Sequence, residues 1–247
     1  MGAPQIIWLL LVGLGIGAAI VEHGKNIPVS AFRTLFRSAV ALALLGWGGF
    51  FSGQCHAATV DRVPSQAEQY RRVLVRAVHA EWGLSAPVAT FAAQVHQESR
   101  WRADARSPVG AVGLSQFMPG TAEWISGLYP AALGANQPMN PGWALRALVT
   151  YDRYLYDRNQ AASDCHRWAF VLSAYNGGQG WVNRDRRLAS ASGADQLAWF
   201  DSVERFNAGR SAASFRENRD YPRLILLRYE RLYTTWGDGV CAERYTL

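Results

Sequence analysis

Hydrophobic and polar positions follow different patterns before and after about residue 60. Residues 6–21 form an apolar run of 16 residues, and a second apolar run covers residues 39–51. A short polar stretch between them carries Lys25, Arg33 and Arg37. Each run is shorter than the ~20 residues that span a bilayer comfortably, although flanking residues extend both. The pattern predicts an N-terminal membrane anchor of two short hydrophobic helices.

The basic stretch between the two runs sets the predicted orientation. Positively charged connections stay in the cytoplasm, so the chain after the second run would lie outside it. We predict an anchor at 1–58, a linker at 59–65 and one domain at 66–247. The alternative is a cleaved signal peptide with residues 39–51 as its hydrophobic part. In both cases the last domain is exported.

After residue 65 the pattern is that of α-helices separated by Gly-rich turns. Ser65 and Glu68 have capping-box spacing, and apolar residues then recur every fourth position up to a stop at Gly83. Ser85 and Pro87 begin a second predicted helix. Later helices are predicted over residues 143–157, 167–175 and 218–233, whereas residues 101–120 predict a loop or short β segment. The predicted fold class is mostly α with a small irregular or β part.

Composition and charge narrow the partner classes. The chain is 49% hydrophobic and carries a net charge of +6, with a pI near 9.5. These values favour a packed domain and an anionic partner, although a general preference for Arg explains the charge equally well. The Arg residues are scattered and form no dense run, so nucleic acid is not expected as a partner.

The three cysteines, Cys55, Cys165 and Cys241, include no CxxC pair, which argues against a zinc ribbon or a redox motif. Cys165 and Cys241 both lie in the exported part. They could form a disulfide there, or remain two buried thiols, and spacing alone does not decide between these.

Glu98 is the first candidate for chemistry. In the second predicted helix, PVATFAAQVHQESRW, it shares one face with Val88, Phe91, Ala92 and Val95. Burial and a helix C-terminus both disfavour a carboxylate, so this group would stay protonated, as a general acid for glycosidic cleavage must. From helix geometry alone, a surface glutamate paired with a nearby arginine is the more common outcome.

The following stretch, SPVGAVGLSQFMPGTA, changes that balance. Its three glycines allow backbone to approach a ligand closely. Gln116 offers an amide suited to sugar hydroxyl and acetamido groups, while Phe117 and Met118 offer apolar surface for a sugar face. Each residue alone is more often core or turn, and the combination carries the prediction.

Three sequence blocks together resemble the soluble lytic transglycosylase (SLT) catalytic domain family. They are ESRWRADARSPVGAVGLSQFMPGTA, then SAYNGGQGWV at 173–182, and then ENRDY at 217–221. They occur in the family's order over about residues 70–235. The resemblance implies an α+β lysozyme-like fold. It also implies cleavage of the MurNAc–GlcNAc β-1,4 bond of peptidoglycan with a 1,6-anhydro product.

The resemblance also implies roles for individual residues. Carried over by position, Glu98 is the single catalytic acid and base. Ser107 would hydrogen-bond near Glu98 or the muramyl acetamido group, and Gln116 and Met118 would line sugar subsites.

The second and third blocks supply the other implied site residues. Tyr175 would lie against Glu98 and the reacting sugar, Asn176 beside it, and Glu217 would be a supporting polar residue of the cleft. The sequence departs from the family at Ser115, where Met is commoner, and at Asn218, where Thr is usual. These departures concern subsite details.

Counting carboxylates favours a mechanism with one carboxyl group. Glycosidases usually need two, flanking the scissile bond. No Asp or Glu occurs between Asp104 and Glu123, and Asp104, Asp185 and Glu217 could reach the site only by folding back. In the one-carboxylate scheme the substrate's own N-acetyl oxygen stabilises C1. Hydrolysis by water is the near alternative.

No dinucleotide, Walker, HExxH or GxSxG motif is present, and the histidines lack metal-ligand spacing, so neither a cofactor nor a metal is expected. The chain has ten Trp residues. Trp101, Trp124, Trp143 and Trp181 are candidates for sugar stacking, with core packing as the default for each.

The predicted function is therefore a peptidoglycan lytic transglycosylase of the bacterial inner membrane, with its catalytic domain in the periplasm. Its partners would be glycan strands and the membrane. The alternatives are a muramidase similar to goose-type lysozyme, or a non-catalytic wall-binding component of a secretion or conjugation apparatus. Among biological roles, phage lysis is favoured.

Overall fold

The computed structural model describes residues 61–241. The predicted anchor at 1–58 lies outside these residues, as do the first two residues of the predicted linker. Across residues 61–241, no helix combines the length and the apolar character that crossing a bilayer requires.

The described part is helical. Its α-helices are α1 (Ala67–Trp82), α2 (Val88–Ser99), α3 (Pro119–Leu128), α4 (Pro130–Leu133), α5 (Pro141–Tyr156), α6 (Asp164–Gly177), α7 (Gln179–Ala191) and α8 (Ala212–Arg223). A 3-10 turn at Val203–Arg205 precedes α8. The chain continues from α8 through a π-helical segment, Leu224–Tyr229, and a 3-10 turn, Glu230–Tyr233.

Helix α2 lies at the centre of the fold. Ten of its 12 residues are buried, because α1 packs on one side and the segment from Leu224 to Tyr233 packs on another. Helices α5 and α6 pack against each other, with α1 on α5 and α8 on α6. An aromatic cluster fills the space between α1, α2 and α6: the Phe91 ring meets the rings of Trp82 and Trp168 at centroid distances of 5.4 and 5.0 Å.

The stretch between α2 and α3 is irregular, as predicted. Val112 forms isolated antiparallel bridges with both Arg106 and Phe117, and no sheet forms within residues 61–241. Gly113 has a φ of 76°, and a Cβ there would lie 2.2 Å from the carbonyl oxygen of Pro138. Only glycine fits this close approach, which fixes the loop against the chain before α5.

Three helices are absent from the sequence prediction. A glycine pair such as Gly177-Gly178 usually ends a helix, but α7 starts directly after it, with Gly178 at a φ of 93°. Only Val182, Asp185 and Ala189 of α7 are buried, so its apolar period is weak. Helices α3 and α4 are short and begin with Pro119 and Pro130 at the first helical turn, where proline is well tolerated.

The last predicted helix starts too late. The prediction of 218–233 misses the first turns of α8, which begin after the cap Ser211, whose hydroxyl accepts from the backbone N–H of Ser214. Pro222 lies inside this helix, and a π-helical segment follows at once. A proline cannot donate the usual i→i−4 hydrogen bond, and π turns mark such interruptions.

A disulfide joins Cys165, in the first turn of α6, to Cys241. It closes a loop with a sequence separation of 76. The sequence left open whether these residues form a bond or remain two thiols, and the structure contains the bond.

Candidate active site

Glu98 lies in the last turn of α2, where the helix ends with Arg100 in the left-handed region at a φ of 51°. The hydroxyl of Tyr221, on α8, donates a hydrogen bond to Oε1 of Glu98. Tyr221 is only 5% exposed, whereas the Glu98 side chain is partly exposed. The carboxyl group is thus held from behind and open on one side.

The open side faces a groove of about 380 Å³. All seven site residues expected from the sequence line it: Glu98, Ser107, Gln116, Met118, Tyr175, Asn176 and Glu217. They come from α2, the irregular stretch, α6 and α8. The fold therefore brings the three sequence blocks to a single site.

The surroundings of Glu98 favour its neutral form. Burial is the main cause that raises the pKa of its carboxyl group from 4.5 to about 8; the nearby charge of Glu217 adds to this rise, and the hydrogen bond from Tyr221 opposes it. A surface glutamate at this position would pair with Arg100 or Arg102, the arginines nearest in sequence. Arg102 instead donates to the carbonyl oxygen of Ser99, and Glu98 forms no ion pair within residues 61–241.

Tyr175 forms part of the groove wall beside Glu98. Its hydroxyl donates to the carbonyl oxygen of Ser115 at 2.8 Å, and not to the carboxyl group. Its ring packs against Tyr151 and Phe117, with centroids 5.2 and 5.8 Å away. Burial and the charge of Glu98 hold the pKa of Tyr175 well above its usual value. It is therefore a neutral hydrogen-bond donor.

Ser107 and Gln116 hold the irregular stretch in shape. The Ser107 hydroxyl accepts from the backbone N–H of Ala111 at 2.9 Å. The Gln116 amide donates to the carbonyl oxygens of Gly113 at 2.9 Å and Ala105 at 3.3 Å. Because both amide hydrogens are used, the side-chain oxygen of Gln116 is the atom left to accept a hydrogen bond from a ligand.

Helices α6 and α8 are joined beneath the groove. Buried Asn218 donates to Oδ1 of Asn176 at 3.0 Å and to the carbonyl oxygen of Ser173 at 2.9 Å, and it accepts from the Ser173 hydroxyl at 2.8 Å. Asn218 therefore fixes Asn176 at the groove edge.

Glu217 is the second carboxyl group among the groove-lining residues, and it is exposed. Of Asp104, Asp185 and Glu217, the three residues that could supply a second carboxylate, only Glu217 lines the groove. Asp104 is exposed elsewhere, and Asp185 is fully buried and ion-paired to Arg210 and Arg219. The sequence argument for a single carboxyl group therefore has to be tested at Glu217.

Sequence reasoning missed the contact between Tyr221 and Glu98. The two residues are 123 positions apart, so local pattern could not find it. Tyr221 belongs to the third block, for which the resemblance implies a site role only at Glu217. It lies four residues after Glu217, on the same face of α8, and this spacing was the available signal. Gln97, Thr121 and Tyr151 also line the groove.

The four tryptophans expected either to stack on sugars or to pack in the core divide into two pairs. Trp101 and Trp143 are buried, at 0% and 4% exposure. Trp124 is 43% exposed and Trp181 is partly exposed. Across residues 61–241, His, Cys, Asp and Glu side chains form no group of three or more that could hold a metal ion.

Comparison with known proteins agrees with this geometry. Residues 77–198 match the family model of the transglycosylase SLT domain. Membrane-bound lytic murein transglycosylase F of Maricaulis maris is 33% identical over 149 residues, covering 59% of this chain and 30% of that protein. Its counterpart in Vibrio parahaemolyticus is 31% identical over 131 residues, covering 52% and 23%. The chain thus spans less than a third of the length of these relatives.

Among solved structures, an inactive mutant of the lytic transglycosylase Slt from Pseudomonas aeruginosa aligns with a TM-score of 0.52 and 26% identity. The alignment covers 71% of this chain and 26% of that one. The sequence match, the helical fold and the convergence of the three blocks on one groove lead to the same conclusion. Residues 77–198 of the chain form a transglycosylase SLT domain.

Proposed function

We propose that the chain is a lytic transglycosylase that cleaves the MurNAc–GlcNAc β-1,4 bond of peptidoglycan, with Glu98 as its catalytic acid and base. The observation that carries the proposal is the state of Glu98. Its carboxyl group opens on a groove, forms no ion pair with any residue of 61–241, and has a pKa raised to about 8 by burial. A protonated carboxyl group at neutral pH is what protonation of a glycosidic oxygen requires.

The proposed reaction has two proton transfers through one carboxyl group. Glu98 gives its proton to the bridging oxygen while the C1–O bond breaks. The acetamido oxygen of the same muramyl residue stabilises C1. The carboxylate of Glu98 then takes the proton from the C6 hydroxyl, whose oxygen bonds to C1 and displaces the acetamido oxygen. The proton returns to Glu98, and the product has a 1,6-anhydro ring without uptake of water.

Tyr221 and Tyr175 have different proposed tasks. Tyr221 holds Oε1 of Glu98 through its hydroxyl, which leaves Oε2 as the atom for proton transfer. Tyr175 forms the wall next to the reacting sugar. Gln116 would accept from a sugar hydroxyl or acetamido N–H through its free side-chain oxygen, and Met118, 42% exposed, would contact the apolar face of a sugar ring.

The second candidate function is a muramidase that hydrolyses the same bond. The exposed carboxyl group of Glu217 on the same groove favours it, because an inverting glycosidase uses a second carboxylate to activate water. The two functions differ in their product, since hydrolysis leaves a reducing end and the transglycosylase leaves an anhydro end that is lighter by one water.

The decisive experiment is mass spectrometry of muropeptides released from purified sacculi by the full-length chain. Anhydro ends are expected, and reducing ends alone would overturn the transglycosylase in favour of the muramidase. Glu98→Gln should lower the rate of release about 10²–10⁴-fold, because the general acid is lost while the shape is kept. Release at the wild-type rate by this variant would contradict the role of Glu98.

Two matched carboxyl variants complete the design. Glu217→Gln tests the second carboxyl group: a loss as large as that of Glu98→Gln would require a two-carboxylate mechanism. Glu123→Gln changes an exposed glutamate of α3 that does not line the groove, and it should have no effect. A wall-binding protein without catalysis would release nothing in any form.

We also propose that the chain acts outside the cytoplasm while tethered to the inner membrane. The relatives from Maricaulis maris and Vibrio parahaemolyticus are both named membrane-bound enzymes. A disulfide such as Cys165–Cys241 persists in oxidising compartments, which supports export. Cell fractionation with protease accessibility tests this placement. Phage lysis stays a prediction from the sequence.

A further inference from the structure

Helix α3 leads from the groove to an exposed aromatic side chain. Met118 precedes the helix and Thr121 lies in its first turn, and both line the groove. Trp124 follows Thr121 by three residues and therefore lies on the same face of α3, one turn farther from Glu98 along the chain. Its side chain is 43% exposed.

Two tyrosines of α5 support the Trp124 indole. The ring of Tyr154 lies 5.1 Å from it at an interplanar angle of 81°, and the ring of Tyr151 lies 5.8 Å away at 76°. Rings at these angles are not stacked flat on one another. Tyr151 also lines the groove, so the supported indole is continuous with the groove wall.

Trp101 and Trp143 show how a tryptophan that packs in the core is placed in this fold. Trp101 is fully buried and donates its ring N–H to the Tyr233 hydroxyl at 2.7 Å. Trp143 is 4% exposed and donates to the carbonyl oxygen of Leu133 at 2.9 Å. Trp124 is instead 43% exposed, so a ligand that covers its indole would remove apolar surface from water, which is favourable.

We propose that Trp124, supported by Tyr151 and Tyr154, is a stacking platform for one additional N-acetylhexosamine ring of the glycan strand. The inference rests on the proposed function, since the same strand would occupy the groove. A pyranose ring presents an apolar C–H face, and a neutral, rigid, half-exposed indole matches that face. The shared wall residue Tyr151 and the shared helix α3 connect the platform to the groove, which favours the strand over a separate partner.

The dependence of cleavage on the length of the glycan strand tests the platform. The full-length protein would be given glycan strands fractionated by length, and kcat/KM would be measured for each fraction. Trp124→Ala should lower kcat/KM on long strands about five- to tenfold, as expected for one lost aromatic contact. On the shortest strand that is cleaved, the change should stay within about twofold. Trp124→Phe keeps an aromatic face and should recover most of the loss.

Leu84→Ala is the matched control, because it removes a large apolar side chain that is 86% exposed and lies between α1 and α2. It should leave all lengths unchanged. An equal loss on every length in Trp124→Ala would assign Trp124 to packing of the groove wall and overturn the platform. So would unchanged kcat/KM on long strands, or a changed oligomeric state without a change in length dependence.

Binding of the protein to sacculi tests the platform independently of cleavage. If the wild-type protein cleaves no strand, the proposed function fails, and cosedimentation with intact sacculi still tests the indole. Glu98→Gln should bind sacculi more tightly than the double variant with Trp124→Ala, by about five- to tenfold in Kd. Equal binding by the two variants would overturn the platform.

Discussion

Asp185 and Glu98 are two carboxyl groups with opposite surroundings: Asp185 is fully buried, and Glu98 is partly exposed to the groove. Asp185, on α7, is fully buried and accepts from Arg219 at 2.7 Å, from Arg210, and from the backbone N–H of Ala208 at 2.9 Å. Glu98 accepts a hydrogen bond from the Tyr221 hydroxyl, and no Arg or Lys of the described part of the chain forms an ion pair with it. Similar acids thus lie in surroundings that differ mainly in the positive charge supplied.

The difference separates structure from chemistry. Removing a carboxylate from water is costly unless a cation and hydrogen bonds replace the solvent. Asp185 receives both and links α7 to the connection before α8. Glu98 has no ion-pair partner within residues 61–241, so burial favours its protonated form. The carboxyl group therefore carries a proton that it can transfer to a ligand in the groove. The comparison can be tested by altering each carboxyl group and its partners.

The largest stability effect is expected for Asp185→Asn. The change leaves Arg210 and Arg219 buried without their carboxylate, and breaking such a pair from one side typically costs about 3–5 kcal/mol. Urea unfolding would measure the loss in the free energy of unfolding. The folded fraction should keep its high-pH limit of activity, because Glu98 is untouched. A loss below about 1 kcal/mol would mean that the ion pairs contribute as little as surface pairs do.

Glu98→Gln should instead raise the free energy of unfolding, by an amount that depends on pH. The carboxyl group keeps its proton up to about pH 8 in the folded protein, but its pKa is only 4.5 where water surrounds it, so folding takes up a proton between these values. The wild type therefore loses stability as pH rises from about 4.5 to 8. The amide lacks this penalty and should be more stable by about 2–3 kcal/mol near pH 8, after allowance for the partial exposure of the side chain.

Thermal and urea unfolding at about pH 4, 6 and 8 would measure this difference across the range in which the linkage acts. Glu123→Gln, at an exposed site, serves as the control and should show no such trend. A constant difference between wild type and Glu98→Gln across this range would contradict the raised pKa of Glu98.

The smallest effect is expected for Tyr221→Phe. The Tyr221 hydroxyl lowers the pKa of Glu98 by donating to it, so its removal should raise that pKa and move the high-pH limit of kcat/KM upward by about half a unit to one unit. Tyr175→Phe is the matched control, because its hydroxyl donates to Ser115. If the high-pH limit shifted in Tyr175→Phe and not in Tyr221→Phe, Tyr175 and not Tyr221 would be the residue that donates to Glu98.

The sequence located the candidate site better than the elements around it. Each block carries its own site residues, so Gln116 and Tyr175 could be named from local patterns and related motifs. The hydrogen bond between Tyr221 and Glu98 could not, because it depends on how α8 packs against α2. Glu217 could be named from the third block, but its spacing along the chain does not reveal that its charge helps to raise the pKa of Glu98.

The missed helices have physical causes as well. Helix α7 buries few residues and follows directly after a glycine pair of the kind that normally ends helices. Neither its hydrophobic periodicity nor its composition therefore indicates a helix. The buried Asp185 holds α7 in place through ion pairs with Arg210 and Arg219, which lie 25 and 34 positions later in the sequence. Hydrophobic periodicity detects helices held by apolar burial and overlooks one held in part by a buried ion pair.

The bond between Cys165 and Cys241 has a consequence for proteolysis. The connection between α7 and α8, residues 192–211, includes exposed positions where a protease can cut, and the cut lies between the two cysteines. The piece bearing Glu217 and Tyr221 would then stay covalently attached to the piece bearing Glu98. A nicked molecule would migrate as one species on a gel without reductant and as two with it, and it could keep its groove assembled after the backbone is broken.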